Sequence, residues 1–201
     1  VLQGHFLKDP MLLARGMQLS LPLRYVASFP RFEAVAALQR QATTHGIVFE
    51  AIDTAGFAGT KEAVATFADH LLKCTYVLCP RGAENYSFRL YEALKFGRVP
   101  VIIDTDMVLP PEVPWHDVAL VIPYSRVQDT AALIAEDHRT RTAKQFRERQ
   151  QLALETSAML DSEVWLAGVA REIADRVRSS RTIVTESSPA TIKSLDSAPV
   201  F

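Results

Sequence analysis

A chain of 201 residues, 48% apolar and 22% charged with a net charge of −1, has room for one well-buried core and falls short of two full α/β domains. Near neutrality without interleaved basic and aromatic residues argues against nucleic acid as a partner. No apolar run approaches the roughly 20 residues that span a bilayer, and no signal peptide is visible. Because the chain begins at Val1, an upstream leader, anchor or domain stays open. Two cysteines, Cys74 and Cys79, are too few for a disulfide scaffold and fit neither a zinc knuckle nor a redox pair, so both read as small buried residues. The five histidines are scattered without ligand spacing, and no metal or other cofactor is expected.

In chain order, residues 1–23 mix apolar residues with Gly4, Pro10, Gly16 and Pro22 and read as an irregular or helical lead-in. Arg24 to Ser28 reads as a first strand, followed by a helix from Arg31 to Ala42 that Gly46 ends. Ile47 to Ile52 reads as a second strand, leading into a loop at 53–59 rich in turn residues. Thr60 can cap a helix over Lys61 to Lys73, with Val64, Phe67, Ala68 and Leu71 on one face.

The most informative stretch follows. Tyr76 to Cys79 is a short apolar strand, Pro80 to Tyr86 a bend, and Phe88 to Phe96 a helix with Leu90, Ala93 and Leu94 on one face. Ser87 is a suitable N-cap and Gly97 a stop. Val99 to Ile103 has the β-branched continuity of a strand buried on both faces. A proline-rich loop leads to another strand at Ala119 to Ile122 and a helix from Asp129 or Thr130 to about Ala135. Helical pattern then runs to Arg178, with a break at Asp161-Ser162 where Asp161 can cap. Residues 179–201, rich in Ser, Thr and Pro, read as a disordered tail. The domain is therefore 24–178, and its alternation of strand and helix predicts an α/β, Rossmann-like open parallel sheet with helices on both faces and C-terminal helices. In such sheets ligands bind beyond the carboxyl ends of the strands.

Arg89 is the anomaly in this pattern. A helix start carries partial positive charge, so a cation in the first turn is locally unfavourable unless an anion is near. Arg81 and Gly82 in the preceding loop, Ser87 at the cap and Arg89 together can cradle a phosphate or diphosphate. The bland alternative leaves Arg81 solvated and pairs Arg89 with Glu92 three residues on. No G-x-G-x-x-G is present, so the usual dinucleotide fingerprint is absent.

Taken jointly, Leu78-Cys79-Pro80-Arg81-Gly82, Ser87-x-Arg89-x-x-Glu92-Ala93, Gly97-Arg98-Val99-Pro100-Val101-Ile102-Ile103 and Leu109-Pro110 resemble the donor-binding C-terminal half of exostosin-type glycosyltransferases. The resemblance implies one half of a GT-B architecture. It also implies inverting transfer of a sugar from a nucleoside diphosphate to an acceptor hydroxyl in glycan synthesis, generally without a bound metal. Carried over by position, Arg81, Ser87 and Arg89 hold the diphosphate, Glu92 accepts from the ribose hydroxyls, and Gly82, Asn85 and Tyr86 belong to the same donor pocket. The partners implied are a nucleotide-sugar donor, a glycan or other hydroxyl acceptor, and an N-terminal acceptor domain that these residues do not supply. No catalytic base is assigned. Two rivals stay open: a degenerate module that binds nucleotide without turnover, and a metal-dependent GT-A type transferase using Asp104 and Asp106. Compartment is read as cytoplasmic beside a membrane, or as Golgi lumen behind an upstream anchor.

Overall fold

The computed structural model describes residues 2–3, 22–26, 29–52, 61–82, 84–161, 163, 166–171, 173–174, 176 and 178. Contacts divide the chain into two units, Val1–Ala158 and Met159–Phe201. In the second unit the described residues between 163 and 178 are helical, and the Asp161 carboxylate accepts from the Glu163 N–H at 3.0 Å, the start expected of it. The expected tail lies outside the described residues, as do the loop at 53–59, Thr60 and most of the lead-in.

In the first unit the strands are β1 (Leu2–Gln3), β2 (Ala51–Ile52), β3 (Tyr76–Leu78), β4 (Val99–Asp104) and β5 (Leu120–Pro123). The helices are α1 (Phe29–Gln41), α2 (Lys61–Lys73), α3 (Phe88–Lys95), α4 (Trp115–Val118), α5 (Thr130–Thr140) and α6 (Ala143–Met159). Strands β3, β4 and β5 form a parallel sheet in chain order, with Leu78 opposite Val101 and Ile103 opposite Ile122. Strands β1 and β2 form a separate parallel pair. The open α/β sheet predicted from the alternation is thus present, with three strands in its main part.

Both faces of that sheet are covered, as its continuous apolar strands require. Leu78, Val101, Ile103 and Ile122 pack with Ala34, Val35 and Leu38 of α1 and with Ala131 and Ile134 of α5. The alternate residues Val77 and Ile102 are also buried, and α3, which packs on β3 and β4, buries Leu90, Ala93 and Leu94. A proline-rich loop is fixed by Trp115, whose Nε1 donates to the Pro110 carbonyl at 2.8 Å.

Helix α3 stops where the sequence says it should. The Gly97 N–H bonds the Leu94 carbonyl at 2.9 Å and the Arg98 N–H reaches back to Ala93 at 2.9 Å, the paired closure of a left-handed C-terminal glycine. Gly97 has φ +61, and a Cβ there would meet Leu154 Cγ at 3.3 Å. Gly97→Ala is therefore expected to cost about 1–2 kcal/mol, the scale of a left-handed residue with a Cβ, read by thermal denaturation.

Three expectations are corrected. Residues 24–28 do not begin as a strand: Leu23–Tyr25 is a 3-10 turn, because Tyr25 and Val26 close back onto Pro22 and Leu23 at 2.9 and 3.0 Å. Residues 27 and 28 lie outside the described residues. The second strand is shortened to Ala51–Ile52, although Ile47, Phe49 and Ala51 keep the two-residue period and pack on the core. The helix expected to end near Ala135 continues to Thr140, whose hydroxyl caps it by donating to Glu136 at 2.9 Å.

Candidate functional site

The loops after β3 and β4, the 3-10 turn and the first turns of α1 and α3 converge at the carboxyl edge of the sheet. The centre of this edge is Gly82. A Cβ placed there would lie 3.8 Å from an Nη of Arg31, so the Gly82 backbone and the Arg31 guanidinium border the same space. Arg31, from the first turn of α1, was not among the residues the sequence pointed to. Its Nε is buried without a hydrogen-bond partner, and it has no ion-pair partner among the described residues.

Arg89 stands close enough to Arg31 to repel it. Burial first, and then this like charge, lower the pKa of Arg31. Burial also lowers that of Arg89, against the opposing pull of Glu92 and Cys79. The Arg89 guanidinium lies 3.8 Å over the Phe67 ring and pairs with Glu92 Oε2 at 3.1 Å. Arg81 is buried, with Nη1 donating to the Arg24 carbonyl at 3.4 Å, and desolvation lowers its pKa too. The bland reading is therefore half realised: the Arg89–Glu92 pair exists, but Arg81 is not a solvated surface residue. All three guanidinium groups are desolvated, and Arg31 and Arg89, each in the first turn of a helix, are coupled as like charges, a repulsion that a bound anion would relieve.

Ser87 occupies the N-cap position with extended φ −141 and ψ 114, but its side chain makes no capping bond, contrary to expectation. Its carbonyl accepts from the Leu90 N–H at 3.2 Å instead. The first N–H groups of α3 thus receive nothing from the Ser87 hydroxyl, which is itself buried.

Asn85 has a more specific place than a pocket wall. Its Nδ2 donates to the carbonyls of Thr105 and Asp106, each at 3.0 Å, and its Oδ1 accepts from the Thr105 hydroxyl at 2.8 Å. The side chain locks the loop after β3 to the loop after β4. Because Thr105 is fully buried, Asn85→Ala is expected to cost about 1–3 kcal/mol, the penalty for orphaned buried polar groups. Urea denaturation of the variant checks this.

The same loop is closed at its base by the Gly82 N–H, which donates to the Tyr86 carbonyl at 3.1 Å. The Tyr86 ring is held outward, edge-on to Phe88 with centroids 4.9 Å apart.

Asp104 and Asp106 are engaged within the protein. Asp104 Oδ1 accepts from the Asp106 N–H at 3.0 Å, a turn that sets Asp106 at φ 58. The Asp106 carboxylate accepts from the Tyr25 hydroxyl and pairs with Arg24 at 3.2 Å. Among the described residues no group of three or more His, Cys, Asp or Glu is placed to hold a metal ion. Cys79 is buried, donates to the Val77 carbonyl at 3.1 Å, and has its thiol pKa raised by that burial. Cys74 is half-buried.

Comparison with known proteins gives this edge a context. Residues 36–136, half of the chain, match the model of the exostosin GT47 domain. A probable glucuronosyltransferase of Oryza sativa subsp. japonica is 39% identical over 59 residues, which is 28% of this chain and 14% of that protein. A probable β-1,4-xylosyltransferase of Arabidopsis thaliana is 38% identical over 63 residues, 30% of this chain and 15% of that protein. These alignments span about one seventh of each relative. The residues from Arg81 to Glu92 lie inside the matched domain, on its strand, helix, strand unit. The chain belongs to the exostosin GT47 family.

Proposed function

We propose that this chain is the donor-binding half of an inverting glycosyltransferase, taking a sugar from a nucleoside diphosphate and passing it to a hydroxyl of a glycan. The observation that carries the proposal is the desolvated, mutually repelling pair Arg31 and Arg89, with an Arg31 Nη bordering Gly82 and the buried Arg81 next to Gly82 in the chain, at the carboxyl edge of a parallel sheet. In this reading the diphosphate sits against the first turn of α3, accepting from the guanidinium groups, the Gly82 neighbourhood and the Ser87 hydroxyl. Glu92, oriented by its pair with Arg89, accepts from the ribose hydroxyls.

During transfer the bond from the sugar's anomeric carbon to the diphosphate oxygen breaks, and the acceptor oxygen forms the new bond from the opposite side. Negative charge then builds on the leaving diphosphate. Positive groups already held in a desolvated site stabilise that charge without reorganising, which is where their rate effect arises. Glu92 is assigned to the ribose, so the proton lost by the acceptor goes to a base other than these residues. The names of the relatives suggest xylose or glucuronic acid as the sugar, and UDP is the nucleoside diphosphate chosen for the test.

Calorimetric titration of the whole chain with UDP, once with EDTA and once with Mn²⁺, tests the reading. Binding of similar strength in both supports arginine-based neutralisation. Binding confined to Mn²⁺ would instead favour Asp104 and Asp106 as metal ligands, and binding in neither would remove the donor assignment.

A further inference from the structure

The loop after β3 ends in two aromatic residues that the fold leaves uncovered. Phe88 is 71% exposed and Tyr86 43% exposed, yet each has half-buried or buried neighbours on both sides of it in Asn85, Ser87 and Arg89. Exposed aromatics scattered singly need no explanation, but these two are in edge-to-face contact. Their position is also fixed. Gly82 bonds the Tyr86 carbonyl, and the adjacent Asn85 is clamped by three hydrogen bonds to Thr105 and Asp106. A rigid, solvent-facing pair of rings is a binding platform already organised for its ligand.

Which part of the reaction meets the platform follows from the axis of α3, and here the inference rests on the donor reading above. Glu92 lies three residues beyond Arg89, about 4.5 Å further along the helix. A diphosphate at Arg89 with its ribose at Glu92 places the nucleoside toward the C-terminal end of α3. The other end of the diphosphate, which carries the sugar, then points back toward residues 82–88. The aromatic pair stands at that end. We propose that Tyr86 and Phe88 form the acceptor platform, stacking against the C–H face of a pyranose ring in the glycan that receives the sugar.

The chemistry suits the occupant. A β-linked pyranose with equatorial hydroxyls presents its axial C–H groups as an apolar face, which an aromatic ring covers while the hydroxyls stay in water. In the donor reading Arg31, Arg81 and Arg89 hold the anionic donor while the exposed rings adjoining them in the chain offer apolar surface, so charge and apolar surface are divided between the two substrates. Tyr86, expected from the sequence at the donor, is thereby assigned to the acceptor. Phe88, which the sequence placed only as a helix start, joins it.

Saturation-transfer NMR with xylotetraose and cellotetraose, with and without UDP on the whole chain, tests the assignment. The expected result is saturation of ring C–H protons by the wild type and a loss of at least five-fold in the Tyr86→Ala, Phe88→Ala double variant. Its UDP affinity should stay within two-fold of wild type and its melting temperature unchanged, since both rings are exposed. A Tyr86→Trp, Phe88→Trp variant should keep the signal, as a stacking role permits. The assignment is overturned if neither oligosaccharide gives a signal in any condition, or if the double variant keeps it. It is likewise overturned if the double variant loses UDP and not the oligosaccharide, because the rings then serve the nucleobase. Failure of the wild type to bind UDP strikes the donor reading instead, and the oligosaccharide arm still decides for or against the platform.

Discussion

Arg149→Ala is expected to remove about 3–5 kcal/mol of folding stability, the usual cost of breaking one side of a buried ion pair. Arg149 is 3% exposed and Asp137 10%, and they meet at 2.7 Å. The second Arg149 amino group donates to the Ala119 carbonyl at 2.5 Å, and Asp137 also accepts from the Tyr76 hydroxyl at 2.7 Å and from Arg141 at 3.1 Å. One cluster therefore ties α6 and α5 to β3 and to the entry of β5. Loss of Arg149 leaves a carboxylate at the base of the sheet with its main counter-charge gone. Chemical denaturation should show a lower midpoint without a lower slope. The Arg149→Met, Asp137→Leu pair should recover much of the loss, because an apolar replacement leaves no charge to desolvate.

The cluster also sets an acid limit. Burial alone would raise the Asp137 pKa, but the Tyr76 hydroxyl, Arg149 and Arg141 outweigh it and hold the carboxyl below its ordinary value. A depressed folded-state pKa means that the unfolded chain binds the proton first as pH falls. The stabilisation is therefore complete above the unfolded carboxyl pKa of about 4 and is lost as pH drops through the lower folded value. Asp137→Asn should be less stable at neutral pH and show a flatter stability curve below about pH 4. The Tyr76 hydroxyl is pushed up by burial and by the Asp137 carboxylate, and so stays a donor throughout this range.

Arg31→Ala carries the second large effect, and its two readouts move in opposite directions. UDP affinity should fall about 10- to 100-fold, matching the roughly 1.5–3 kcal/mol of a hydrogen bond to a charged group. The ligand-free protein should keep its stability or gain some, because the substitution removes a desolvated cation and its repulsion with Arg89. A group whose charge is unfavourable until an anion arrives is the pattern of a binding residue that trades stability for function. Arg89→Ala should differ. It loses the Phe67 ring contact and the Glu92 pair, so the free protein should be weakened by about 1 kcal/mol while UDP binding also falls. Melting curves and calorimetry on the two variants separate these outcomes.

The unit from Tyr76 to Asp104 was legible from sequence because its signals are local: a β-branched run, an amphipathic turn of helix and a glycine in the left-handed region. Pairing of distant residues was not legible. Asn85 resembles a pocket residue until Thr105, 20 positions on, is seen to occupy its amide. Arg31 was missed although the rule that singled out Arg89, a cation at a helix start, applies equally to it. The like charge that it faces lies 58 positions away, a proximity no local pattern encodes. The stretch from Arg24 to Val26 has strand-like residues but is bent by the turn after Pro22, and in that form supplies Tyr25 and Arg24 to Asp106. Ser87 has the right residue type for a cap, yet its hydroxyl does not make the bond, which no sequence rule reveals.

If Arg31, Arg81 and Arg89 together receive a diphosphate, their own guanidinium groups must report its arrival. The most direct measurement is the NMR spectrum of their side-chain Nε–H groups during titration with UDP and, separately, with uridine. All three resonances are expected to shift and sharpen with UDP, and uridine at the same concentration to leave them in place. Shifts induced equally by uridine, or none with saturating UDP, would contradict it.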